Sequence, residues 1–173
     1  LKFNFLFLKE GLEISKATLR NKDLSIFFDS LIKINPFFEM NSNININKLD
    51  KKLTENLRLD KLLDNKEILK KFNGNSKVNF IKKKKWHRGL IETHFSEFSL
   101  AYGNLIFSNK TSIAGGVISC KGDSPLIEEY PRLNFQCFVD IKDKEKFLKN
   151  FVSSKKFSKD SLQFDVHGSL NLL

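Results

Sequence analysis

The chain is 173 residues long, carries 18 Phe and a formal net charge of +10, and is 40% hydrophobic and 29% charged. That length suits one domain with a sizeable core, and those fractions exclude a wholly disordered tail. Eight Gly and three Pro exclude a collagen-like or linker composition.

The dominant residues, Lys, Asn, Phe, Ile and Leu, have mostly AT-rich codons. Part of the positive charge is therefore read as genome composition rather than as a nucleic-acid footprint. The chain opens on a strand signal, with Phe3, Phe5 and Phe7 alternating with Lys2, Asn4 and Leu6. It closes inside another alternating run, so the expectation is a single segment, 1–173, cut from a longer protein. No basic leader with a small-residue cleavage site occurs in it, and no apolar stretch approaches the ~18 residues of a membrane span.

Period-two alternation continues along the chain. From Asp23 to Asn35 the apolar positions are Leu24, Ile26, Phe28, Ile32 and Ile34, and Asn35-Pro36 then predicts a turn. Phe38, Met40, Ile44 and Ile46 follow on one face, with Asn41, Asn43, Asn45 and Asn47 on the other. Leu133, Phe135, Cys137, Val139 and Ile141 form a third such row, and Leu162, Phe164, Val166, Leu170 and Leu172 a fourth. Weaker strand signals cover Gly11 to Arg20, Ser76 to Lys82, Leu90 to Tyr102, Asn104 to Ser108 and Thr111 to Lys121.

Turn residues separate these runs at Lys9-Glu10-Gly11, Asn21-Lys22-Asp23, Asn73-Gly74-Asn75, Tyr102-Gly103-Asn104, Asn109-Lys110 and Gly122-Asp123. Their spacing predicts hairpins throughout, with Gly115-Gly116 marking a bulge or bend inside a strand. Two stretches break the rhythm. Lys48 to Phe72 spaces its leucines as one long amphipathic helix, and Asp143 to Val152 as a short one. Ser124 to Glu129 offers a turn of helix that Pro131 ends.

The predicted fold is mainly β: a long antiparallel meander, curled or groove-like, with one long and one short helix. About nine or ten strands expose an apolar face that two helices are too few to cover. The sheet must fold on itself, pack on another sheet, or leave a trough for something apolar.

Catalytic and cofactor signals are absent from the sequence, and no cofactor, metal site or enzymatic activity is expected. His87, His94 and His167 are dispersed without zinc spacing, and no GxSxG, P-loop or GxGxxG occurs. Glu128 and Glu129 are adjacent and point apart, as in a solvated turn.

Cys120 and Cys137 leave two readings open. Antiparallel strands could set them opposite each other, and a disulfide closing a ~17-residue loop would contribute roughly 3 kcal/mol. Alternatively, Cys137 has the parity of a core position, where a free thiol acts as a small hydrophobe.

The run Lys82, Lys83, Lys84, Lys85, Trp86, His87, Arg88 is the strongest anion-binding signal. It falls between two strand signals, where a solvated hairpin loop with lysines blunting an edge is expected. Such a basic loop suits a phospholipid headgroup as well as a nucleic acid. Nucleic acid ranks low as a partner.

Several phrases resemble the AsmA family of bacterial envelope proteins, which includes the TamB-like and YhdP-like members. They are Gly11 to Leu19, the Phe28 to Ile46 hairpin with the Lys48-Leu49-Asp50 helix start, and Phe72-Asn73-Gly74-Asn75-Ser76-Lys77-Val78. The second half adds Tyr102 to Leu105, Glu128 to Leu133 and Val166 to Asn171, so the resemblance covers most of the chain through degenerate patterns.

The resemblance implies a non-enzymatic slice of a long curled sheet in the periplasm of a Gram-negative bacterium. Its parent would be anchored by an inner-membrane helix, and would carry phospholipid along a hydrophobic groove toward the outer membrane. Its partners would be phospholipid acyl chains, adjacent sheet segments of the same chain, and membrane or envelope proteins. The groove-lining candidates are then Ile26, Phe28, Ile32, Ile34, Phe38, Met40, Ile44, Ile46, Phe135, Val139, Phe164 and Val166. The alternative reading is a scaffolding β domain of the envelope with a closed core and no lipid path.

Overall fold

The computed structural model describes residues 1–35, 37–49, 63, 65–86, 90–151 and 160–172, with 81–86 described by their backbone alone. Ten strands form one sheet in strict chain order. They are β1 (Lys2–Leu8), β2 (Gly11–Arg20), β3 (Leu24–Lys33), β4 (Glu39–Leu49) and β5 (Asn73–Trp86), then β6 (Ile91–Ala101), β7 (Asn104–Ile113), β8 (Gly116–Pro125), β9 (Arg132–Ile141) and β10 (Leu162–Asn171). The sheet is not closed: among the described residues β1 and β10 are each paired on one side. The two described helices are short: α1 (Lys66–Lys71) and α2 (Lys144–Leu148).

The mainly-β expectation is what the structure shows, with four corrections. First, the sheet is mixed, because β4 and β5 run parallel from Glu39–Asn73 to Ile46–Phe80. A parallel pair needs a crossover of about a dozen residues or more, and the 50–72 connection supplies it.

Second, one long helix over 48–72 is not what the described residues form. Lys48 and Leu49 end β4, α1 occupies only Lys66–Lys71, and 50–62 lie outside the described residues. Of the predicted 143–152 helix, α2 is the described helical part, and Val152 lies outside the described residues.

Third, Asn73-Gly74-Asn75 begins β5, while Asn109-Lys110 and Gly122-Asp123 lie inside β7 and β8. Asn109 and Lys110 pair with residues of both flanking strands, so a turn there would break two ladders. Fourth, Gly115 lies in the hairpin turn between β7 and β8 rather than at a bulge or bend inside one strand. Its φ of +88° is a left-handed conformation that glycine adopts without a Cβ penalty.

Two small cores sit at opposite ends of the strands. At one end Leu63, Leu69 of α1 and Leu126 are buried together, with Leu100, Leu105, Ile127 and Leu172 packed on them. At the other, Ile113, Val139 and Ile141 are buried, with Leu90, Ile118 and Phe147 of α2 packed on them. Asp143 caps α2 by accepting the Lys146 N–H at 2.8 Å.

Candidate functional site

Residues opposite each other in a ladder point to the same side of a sheet, so the registers trace each face across all ten strands. Starting from Phe28, one face passes through Ala17 to the β1 side and through Ile44 and Val78 to the β6 side. It continues through Ser96, Asn109, Cys120 and Cys137 to Val166 on β10. Phe5, Phe7, Leu12, Ile14, Met40, Phe80, Phe98, Phe107, Phe135 and Phe164 belong to the same face.

The opposite face carries Asn41, Asn43, Asn45, Lys77, Glu97, Lys121, Gln136 and Asp165, interrupted by Phe27, Phe95, Ile106 and Phe138. One face is thus largely apolar across the sheet, with Ser30, Ser42, Ser76, Ser96 and Asn109 among its residues, and the other is mostly polar.

Ten of the twelve predicted lining residues lie on the apolar face. Ile26, Phe28 and Ile32 of β3 meet Ile46, Ile44 and Met40 of β4, and Phe135 and Val139 of β9 lie beside Phe164 and Val166 of β10. These two groups stand at different parts of the sheet, joined by β5 to β8. Ile34 and Phe38 fall outside the strands, in the β3–β4 connection, where both are exposed. Phe38 instead packs its ring 5.3 Å from that of Phe72, just after α1.

The two described helices pack at the strand ends. Between them Phe98 is 38% exposed, Phe164 42% and Val166 41%, values large for apolar side chains on an inward-patterned face. The row Phe98, Phe107, Gly122, Phe135, Gly168 runs across five strands, and the glycines leave room for the rings. A Cβ at Gly168 would stand 2.9 Å from the Phe135 ring.

Several polar groups on this face are hydrogen-bonded, while the buried Ser124 hydroxyl on the same face has no partner among the described residues. The Ser42 and Ser76 hydroxyls lie 2.8 Å apart, and Ser30 Oγ donates to the Asn41 carbonyl at 3.2 Å. His94 Nε2 lies 2.7 Å from Ser96 Oγ and its Nδ1 2.7 Å from Thr111 Oγ1. Burial lowers the pKa of His94, so the neutral ring is favoured.

A serine beside a ring nitrogen resembles an activated nucleophile, but Ser96 is buried, and the third group is a hydroxyl rather than a carboxylate. The cluster satisfies a histidine within an apolar face. Its partners were not named from the sequence, although Ser96 at i+2 in a strand shares the face of His94. Among the described residues no group of His, Cys, Asp and Glu could hold a metal ion.

Cys120 and Cys137 stand opposite each other in the β8–β9 ladder and are joined by a disulfide on the apolar face. The predicted basic loop is placed differently. Lys82 to Lys85 belong to the strand β5, whose backbone continues until Trp86 pairs with Ile91. The register shifts between Ile81 and Trp86, so the lysines occupy the irregular part of the ladder. Arg88 lies outside the described residues.

Among the described residues, no helix is long and apolar enough to cross a membrane. No protein-family model matches the chain, and no curated protein or solved structure matches it.

Proposed function

We propose that this chain is a sheet segment of an AsmA-like envelope protein, and that its apolar face forms part of a groove for phospholipid acyl chains. The observation that carries this reading is one largely apolar face running across ten strands, with the described helices packed at the strand ends. Each buried acyl CH₂ contributes about 0.8 kcal/mol, so a smooth lining holds a chain by many weak contacts and lets it slide. The paired Ser42 and Ser76 hydroxyls and the His94 cluster suit this role, because their donors are already engaged within the face. The periplasm is the compartment proposed, and the Cys120–Cys137 disulfide suits an oxidising one.

The scaffolding alternative draws on the two buried clusters, which show that part of this face serves as ordinary core. A binding measurement separates the two. Phosphatidylethanolamine with a fluorophore on one acyl chain should bind the purified chain, and Phe28→Asp or Phe98→Asp should weaken binding with the circular dichroism spectrum retained. No binding, or binding indifferent to both substitutions, would favour the scaffold.

A further inference from the structure

Among the described residues the two outer strands of the sheet, β1 and β10, each leave one edge unpaired, and these edges are built differently. β1 carries Lys2, and its ladder is interrupted by a register shift between Lys2 and Asn4. Both features blunt an edge against pairing. β10 has neither: its sequence LQFDVHGSLN holds no Lys or Pro, and its register with β9 is unbroken from Leu162–Ile141 to Asn171–Arg132. All of its residues are exposed, and among the described residues no strand pairs with its outer side.

β10 is also complementary to itself. Let a two-fold axis normal to the sheet pass through Val166, so that two β10 strands run antiparallel with both apolar faces on one side. Val166 then meets Val166, Leu162 meets Leu170, and Phe164 meets Gly168, the kind of ring-and-glycine pair that Phe135 already makes with Gly168 inside the sheet. On the polar face each Asp165 falls opposite a His167, twice by symmetry.

Neither Asp165 nor His167 has a side-chain hydrogen bond or ion pair among the described residues. Centring the axis on Asp165 would oppose two carboxylates, and centring it on His167 would lose the Asp–His pairs.

We propose that β10 is a docking edge for a second copy of this chain, paired antiparallel about Val166. Two ten-stranded sheets then join into one, with the apolar face continuous across the seam. This holds whatever the apolar face carries.

Sedimentation velocity on the 173-residue chain over a concentration series tests it. The chain should dimerise, and Asp165→His or His167→Asp alone should raise the dimer Kd about tenfold, because each sets like side chains opposite one another. Combining the two exchanges the partners and should restore the dimer. Val166→Lys, which places two ammonium groups on the axis, should abolish it, with circular dichroism confirming that each variant is folded. A chain that stays monomeric, a dimer indifferent to the single substitutions, or open-ended growth that would engage β1 overturns the proposal.

Discussion

The Asp29 carboxylate reaches across from β3 and accepts the backbone N–H of Lys16 on β2 at 2.7 Å. This contact sits where the register shifts between Ile14 and Ala17, and Lys16 there has φ +52°. The extra residue changes the phase of β2. Leu12 and Ile14 at even positions and Ala17 and Leu19 at odd ones consequently all face the apolar side.

A lysine in the left-handed region costs about 1 kcal/mol relative to glycine. Lys16→Gly should therefore leave stability unchanged or raise it by up to about 1 kcal/mol, while Asp29→Ala should lower it by about 1 kcal/mol by removing the acceptor. Urea unfolding of the two variants checks this pair of opposite signs.

Gly122 and Gly168 both adjoin phenylalanine rings but differ in what else surrounds them. A Cβ at Gly122 would meet the Asn134 carbonyl oxygen as well as the Phe107 ring, 2.5 Å away at Cε1, whereas at Gly168 the nearest atoms all belong to the ring of Phe135. A ring can move and a backbone oxygen in a ladder cannot. Gly122→Ala should destabilise by about 1–3 kcal/mol and Gly168→Ala by less than about 1 kcal/mol. Thermal melts that rank the two the other way would contradict the packing described.

The disulfide should matter to stability in proportion to the loop that it closes. Replacing both Cys120 and Cys137 by Ala should cost about 2–3 kcal/mol under oxidising conditions. The difference from the wild type should shrink when a reductant is present. Paired urea titrations with and without dithiothreitol measure it.

Burial holds the His94 imidazole below its ordinary 6.5, so the unfolded chain takes up the proton more readily than the folded one. The sign follows: this contribution is complete above about pH 6.5 and is lost as the pH falls below it. His94→Gln should flatten the fall of the urea midpoint between about pH 7.5 and 5.5. Parallel slopes for the two proteins would remove His94 as the cause.

Much of the fold was legible because alternation is a local property. β2 and the pattern of β3, β4, β9 and β10 follow from which residues share parity, and parity also put Phe28 with Ile44 and Val139 with Phe164. What was not legible depends on partners distant in sequence. The parallel β4–β5 pair is decided by where the chain returns after its crossover, and Asn109-Lys110 is strand because two neighbours run past it.

The β2 phase change was present in the sequence as the shift from Ile14 to Ala17, but its meaning depends on Asp29 from the next strand. At the candidate site, the face was readable while its end caps were not. Burial of Leu69 against Leu126 and of Ile141 near Phe147 joins segments that no periodicity connects.

The most direct test of the apolar face as a lipid path is a photo-crosslinker placed in turn at each position of β4 from Met40 to Ile46, in the presence of phospholipid. The account predicts a period of two, with lipid captured at Met40, Ile44 and Ile46 and none at Asn41, Asn43 or Asn45. Capture that ignores parity, or favours the asparagines, would contradict it.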